Sequence, residues 1–212
     1  MATYHITTKE QLQAMNDDLA GDYILDNDID LAGVDFLPLG WTASAGFSGS
    51  FDGQGFTISN LTRTDDDVVG LFSELNAGVL IQNLNLDGFV LSADYSVGCL
   101  ASYSHSLSSV RNVNITNFFI TIGISDYVTG YAGGFIGDCA SSFYNCSAKG
   151  TIHIVSNAGQ PSSIGGFMGY YNGVATVQKC YADVIITSES INSEWGYFGF
   201  CNVGGFCGDC SC

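Results

Sequence analysis

The chain has 212 residues, with five Lys and Arg against 21 Asp and Glu; its net charge of −16 repels phosphate backbones and anionic membrane surfaces, so nucleic acid is not an expected partner. With 46% hydrophobic residues, 12% charged residues, and 27 Gly to 2 Pro, it is neither disordered nor helical in character and suits short strands joined by tight turns. No apolar run approaches the roughly 18 residues of a membrane span, and Met1 to Thr8 lacks the basic-then-apolar order of a signal peptide, so neither membrane insertion nor a visible leader is expected.

The first predicted element is a helix over about residues 6–20, with a capping box at Thr7 and Glu10 and with Leu12, Met15 and Leu19 on one face. Such a helix can cover one open end of a β-structure. Tyr23 to Leu31 reads as the first β-rung, and Phe47 to Leu61 completes the second. No linker divides the sequence, so residues 1–212 are read as one domain, with rungs over 22–212.

A repeat follows. A glycine in a small apolar signature recurs at Gly70, Gly98, Gly134, Gly166 and Gly205, at irregular intervals of 28, 36, 32 and 39 residues. The spacing suits rungs with loops of varying length. After each of the first four signatures comes an apolar-x-x-apolar motif: Ile81 to Leu84, Val110 to Val113, Phe143 to Cys146 and Val177 to Cys180, with Ile58 to Leu61 as an earlier copy. Stacked in register, these copies place Asn60, Asn83, Asn112 and Asn145 in one polar column, broken by Lys179. Asn amides stacked at the ~4.8 Å strand spacing can hydrogen-bond along the axis. The predicted fold is therefore an all-β, short right-handed parallel β-helix of six to seven rungs with an N-terminal helical cap.

Asn27-Asp28-Ile29-Asp30-Leu31, then Phe51-Asp52-Gly53-Gln54-Gly55 running to Asn60-Leu61, then Gly70-Leu71-Phe72, resemble the GLUG-repeat family over essentially the whole chain. That resemblance implies a β-helical module of bacterial surface adhesins, of the N-terminal regions of immunoglobulin A metalloproteases or of phage-encoded proteins, located outside cells or on a virion. It implies structural motif residues and no catalytic ones.

Candidate chemistry is diffuse. Asp26, Asp28 and Asp30 alternate in a strand, and Asp65-Asp66-Asp67 lies in a loop, but neither run has the order of a calcium loop, and both read as solvated charges. Paired carboxylates on a β-helix face would suffice for a glycoside hydrolase, the leading enzymatic alternative, yet no pair stands out among so many acids. His5, His105 and His153 share no ligand spacing, and no cofactor or metal is expected. The sequons at Asn60, Asn114 and Asn145 are discounted because two lie in the ladder.

Of the eight cysteines, Cys99, Cys146, Cys180 and Cys207 align with apolar columns and read as reduced core thiols; a disulfide, or a zinc site at Cys201, Cys207, Cys210 and Cys212, stays open. Cys146 and Cys180 should be neighbours on adjacent rungs. An aromatic surface at Tyr170, Tyr171, Trp195 and Tyr197 is a candidate binding site for a glycan or host receptor. The chain stops after the last glycine signature, so the final rung is half built. Val177, Cys180, Phe206 and Cys207 then mark an end expected to be covered by another protein chain. A non-enzymatic extracellular or virion binding module is the expected function, with a passive spacer as a further alternative.

Overall fold

The computed structural model describes residues 3–41, 46–65, 67–124, 130–156, 162–172, 176–190 and 201–211. Its strands form a parallel β-solenoid with one broad 13-stranded sheet and two narrow five-stranded sheets. Five strands in each narrow sheet correspond to about five turns, fewer than the six to seven expected. The early segments account for the difference, since Leu39 and Phe47 join a narrow sheet only through single bridges to Phe72 and Leu75.

A strand at Thr3–Ile6 precedes the helix and pairs in parallel with Asp22–Leu25. The helix is shorter than expected, Lys9–Gln13 followed by a 3-10 turn at Ala14–Asp17. Its cap is displaced by one residue from the expected Thr7 and Glu10: Thr8 accepts from the Gln11 backbone N–H, and Gln11 Oε1 accepts from the Thr7 and Thr8 N–H groups. Leu12 and Met15 are fully buried, so this short element closes part of the core.

The core is one continuous apolar column from Ile6 to Met168, with Phe206 and Cys207 packed against it. Each turn contributes the same inward positions. Phe51, Ile81, Val110 and Phe143 stack inward in one register, which the exposed Val177 continues at the last turn, and Phe51 takes the place expected for Ile58. Leu71, Leu100, Phe135, Phe167 and Phe206 make another column, tied by backbone bonds from Phe72 N–H to Leu100 and from Phe135 N–H to Phe167. Cys99 lies one position before it, beside Gly134, and is fully buried.

The asparagine ladder is real over three residues. Asn145 Nδ2 donates to Asn112 Oδ1 at 3.0 Å, Asn112 to Asn83 at 3.0 Å, and Asn83 to Asp52 Oδ1 at 3.1 Å. Asn60 is not a member. The loop from Asp52 to Thr57 is longer than its counterpart from Gln82 to Asn85, which shifts Ile58 opposite Leu86 and Asn60 to the next corner, where it donates to Asp30. The ladder residues also face solvent more than expected, with Asn112 and Asn145 exposed. Backbone geometry explains the preference for Asn: Asn83, Asn112, Asn145 and Lys179 all have φ between 52° and 55°, the left-handed region that Asn tolerates.

Asn112→Ala is therefore expected to cost about 1–2 kcal/mol, mostly from the left-handed backbone. Asn112→Gly should recover most of it, because Gly takes positive φ freely. Urea unfolding of the two variants separates the causes: equal losses would assign the effect to the side-chain bonds instead.

Candidate functional site: an acidic, aromatic groove

The two narrow sheets meet at an acute corner. Their strands are joined through the glycine signature, as in Ser96–Gly98 followed by Ala101–Ser104 and Tyr131–Gly133 followed by Ile136–Cys139. Only very small residues fit between the sheets near the corner. Ser96 Oγ donates to the Ser102 carbonyl at 3.0 Å, and a Cβ on Gly137 would lie 2.4 Å from Ser96 Oγ. Farther out the sheets diverge and leave a groove of about 360 Å³.

One wall is a register column in which acids and tyrosines alternate: Glu74, Tyr103, Asp138, Tyr170 and Asp209. At ~4.8 Å per rung, Glu74 and Asp138 are about 9.6 Å apart at Cα. The facing wall carries Asp67, Val68, Tyr95 and Tyr131, and Gly40 and Trp41 close the end nearest the helix. Tyr95 and Tyr131 meet edge to face at 6.3 Å, and Tyr131 and Tyr170 lie 5.5 Å apart. The aromatic rings thus continue along the axis.

The carboxylates and phenols act on one another. Burial pushes Tyr103 up, with further contributions from Asp138 and Glu74, and pushes Tyr131 up with help from Asp138 and three other neighbours. Burial also raises Asp138 from its ordinary 3.8 to about 6, although the Cys139 backbone N–H and His105 pull the other way. The His105 ring is held instead by Glu74, with Nε2 against Oε1.

A raised carboxyl pKa means that the folded chain keeps its proton to higher pH than the unfolded one. Ionising Asp138 therefore costs stability progressively from about pH 4 to about pH 6, and the cost is present in full above that. With the discount for its partial exposure, it amounts to about 1–2 kcal/mol. Asp138→Asn should accordingly stabilise the protein by that amount at pH 7 and leave it nearly unchanged at pH 4. Thermal melts at both pH values check this, and a variant less stable at pH 7 would refute it.

Other expected site residues are dispersed. Tyr170 and Tyr171, adjacent in sequence, diverge: Tyr170 joins the groove wall, whereas Tyr171 packs against the core. Trp195 and Tyr197 lie outside the described residues, as do the side chains of Cys201, Cys210 and Cys212. At the last turn Val177 is exposed, Cys180 half-buried, and Phe206 and Cys207 partly buried against the core. The acids of the first turn are engaged in the fold: Asp26 pairs with His5, Asp28 accepts from the Thr57 N–H, and Asp30 accepts from Asn60 and the Ala32 N–H. Trp41, Glu74, Tyr95, Tyr103, Tyr131 and Asp138 were not singled out by the sequence. The signal was a fixed step of five residues, from Gly98 to Tyr103, Gly133 to Asp138, Gly165 to Tyr170 and Gly204 to Asp209.

Cys146 and Cys180 are free thiols on adjacent rungs. A hydrogen bond from the Cys146 thiol lowers Cys180 to about 7, and the same bond, with burial, raises Cys146. Of these two thiols Cys180 is the accessible one, so iodoacetamide at pH 7.5 should modify Cys180 well before Cys146. Peptide mass mapping after a short pulse reads the order, and equal labelling would contradict it.

The family model described as the M26 IgA1-specific metallo-endopeptidase N-terminal region matches residues 2–117. Halomucin of Haloquadratum walsbyi is 34% identical over 131 residues, covering 53% of this chain and 1% of that protein. A crystal structure described as a candidate immunoglobulin A1 protease from Bacteroides ovatus superposes with a TM-score of 0.61 at 17% identity, covering 99% of this chain and 84% of the other, which establishes the shared fold. Among the described residues no helix is long and apolar enough to cross a membrane. Since the family model spans more than half of its length, the chain belongs to the family of M26 IgA1-specific metallo-endopeptidase N-terminal regions, with GLUG-like repeats.

Proposed function

We propose that this chain is a non-enzymatic, extracellular binding module that holds an extended ligand along the groove between its narrow sheets. The observation that carries the reading is the groove itself: an axial cleft in a repeat scaffold, walled by Trp41, Tyr95, Tyr103 and Tyr131 with acids between them. Solenoids commonly bind along such concave surfaces, because stacked rungs present their outward side chains at a fixed interval. The names of the matched proteins favour a cell-surface setting over a virion. The exposed Val177, Tyr181, Ile185 and Val203 of the last turn fit contact with another protein chain.

Arrays of proteins, peptides and glycans probed with the purified chain and with Tyr131→Ala test this reading. Signals present for the parent and lost for the folded variant support it; identical signals would move binding elsewhere.

One observation favours a second reading. Glu74, held by His105, and Asp138, raised by burial to about 6, sit on one wall two rungs apart with Tyr103 between them, and two carboxyls at such a spacing suit an inverting glycoside hydrolase. Release of reducing sugar from neutral oligosaccharides, abolished by both Glu74→Gln and Asp138→Asn, would select it.

A further inference from the structure

We infer that the groove selects an extended basic protein segment, seating a Lys or Arg side chain between Tyr103, Tyr131 and the carboxylates of Glu74 and Asp138. The inference rests on the binding-module reading and names its partner by charge.

Three observations converge. Among the described residues, the Asp, Glu, Lys, Arg and His side chains that line the groove are all acidic: Asp67, Glu74 and Asp138. Asp209 extends the same column beyond them. Three of the five Lys and Arg residues are committed elsewhere: Arg63 to Asp35 and Asp65, Lys149 to Asp183, Lys179 to the Tyr144 ring and hydroxyl, while Lys9 stands on the N-terminal helix. Arg111 lies on the broad sheet, bonded to Ser109. Among the described residues no Lys or Arg lines the groove, and His105, held by Glu74, is the basic side chain beside its acids.

Second, the acids alternate with aromatic rings, and tyrosine faces attract ammonium and guanidinium groups. Acids and rings together favour a cation over a neutral or anionic ligand. Asp138, half-buried without a full counter-charge, gains most from such a partner, since a cation at hydrogen-bond distance would offset its desolvation.

Third, the shape fits an extended segment. Acids recur on every second rung of one wall, about 9.6 Å apart, so several basic side chains on one extended strand can each meet an acid. A compact cation would fill one position and leave the others unmet.

Calorimetry at low salt tests this with a short extended peptide of alternating Lys and Gly, the same peptide with Glu for Lys, spermine, and a neutral oligosaccharide. The lysine peptide should bind and the glutamate peptide should not. Asp138→Asn, which is expected to fold more stably than the parent, should weaken lysine-peptide binding at least about tenfold. Glu189→Gln, which removes the same charge from an exposed site on the broad sheet, should change it less than about twofold. Equal losses in the two variants would reduce the effect to bulk attraction by a chain of charge −16 and overturn the proposal. Spermine binding as tightly as the lysine peptide would overturn the protein partner. Binding of the neutral oligosaccharide alone, lost in Tyr131→Ala, would overturn the cation while leaving the groove's binding role intact; no binding by any probe would overturn both.

Discussion

Phe167→Ala is expected to lower the free energy of unfolding by about 3–5 kcal/mol. Phe167 is fully buried and forms the middle of an axial stack, 4.5 Å from Phe135 with an interplanar angle of 18° and 4.7 Å from Phe206 at 7°. Phe143 meets it edge on at 5.3 Å. Truncation removes three aromatic contacts and opens a cavity that rigid rungs on both sides cannot collapse into. In a solenoid the interface between turns holds the array together, so the damage is shared by the turns on either side. Phe167→Leu should restore roughly half the loss, since it refills most of the volume. Denaturant unfolding gives both numbers. A loss under about 1 kcal/mol for the alanine variant would mean that the stack contributes little.

The repeat was legible because every turn makes the same demand at the same places. Val97, Ala132 and Ile164 face one core, and Gly98, Gly133 and Gly165 make one corner, so both recur whatever the loop length, although the sequence aligns Gly98 with Gly134 and Gly166, one residue later. Errors arose where that regularity lapses. Thr7 with Glu10 and Thr8 with Gln11 both satisfy the capping pattern, and the strand ending at Ile6 selects the second. Asn60 resembles the ladder residues by its neighbours and by its φ of 58°, yet the longer Asp52 to Thr57 loop moves it to a different corner. The groove was less visible for a chemical reason. Its wall column reads Glu, Tyr, Asp, Tyr, Asp, and alternation by rung conceals a column that identity would reveal. The residues are also spread over Trp41 to Asp209, brought together only by coiling.

Gly133→Ala tests the corner that makes the groove, and it should cost about 3 kcal/mol or more. A Cβ there would lie 2.0 Å from the Ile136 carbonyl oxygen, 2.7 Å from the Phe167 carbonyl oxygen and 2.8 Å from the Gly169 nitrogen. All three are backbone atoms, two of them in the next turn, so no side chain can swing aside. Relief requires opening the corner or separating adjacent turns, which breaks parallel hydrogen bonds on both. Gly205→Ala, one position later in the last turn's signature, is the control. Among the described residues nothing lies within 4 Å of its Cβ position, so its stability should stay within about 0.5 kcal/mol of the parent. Tyr131, two residues before Gly133, supplies one groove wall, so a Gly133→Ala protein that still folds should have a wider cleft and weaker ligand binding. Unfolding curves for both variants, with lysine-peptide calorimetry on whichever remains folded, decide the matter. A Gly133→Ala protein as stable as the Gly205→Ala control would show that the corner does not need glycine at Gly133.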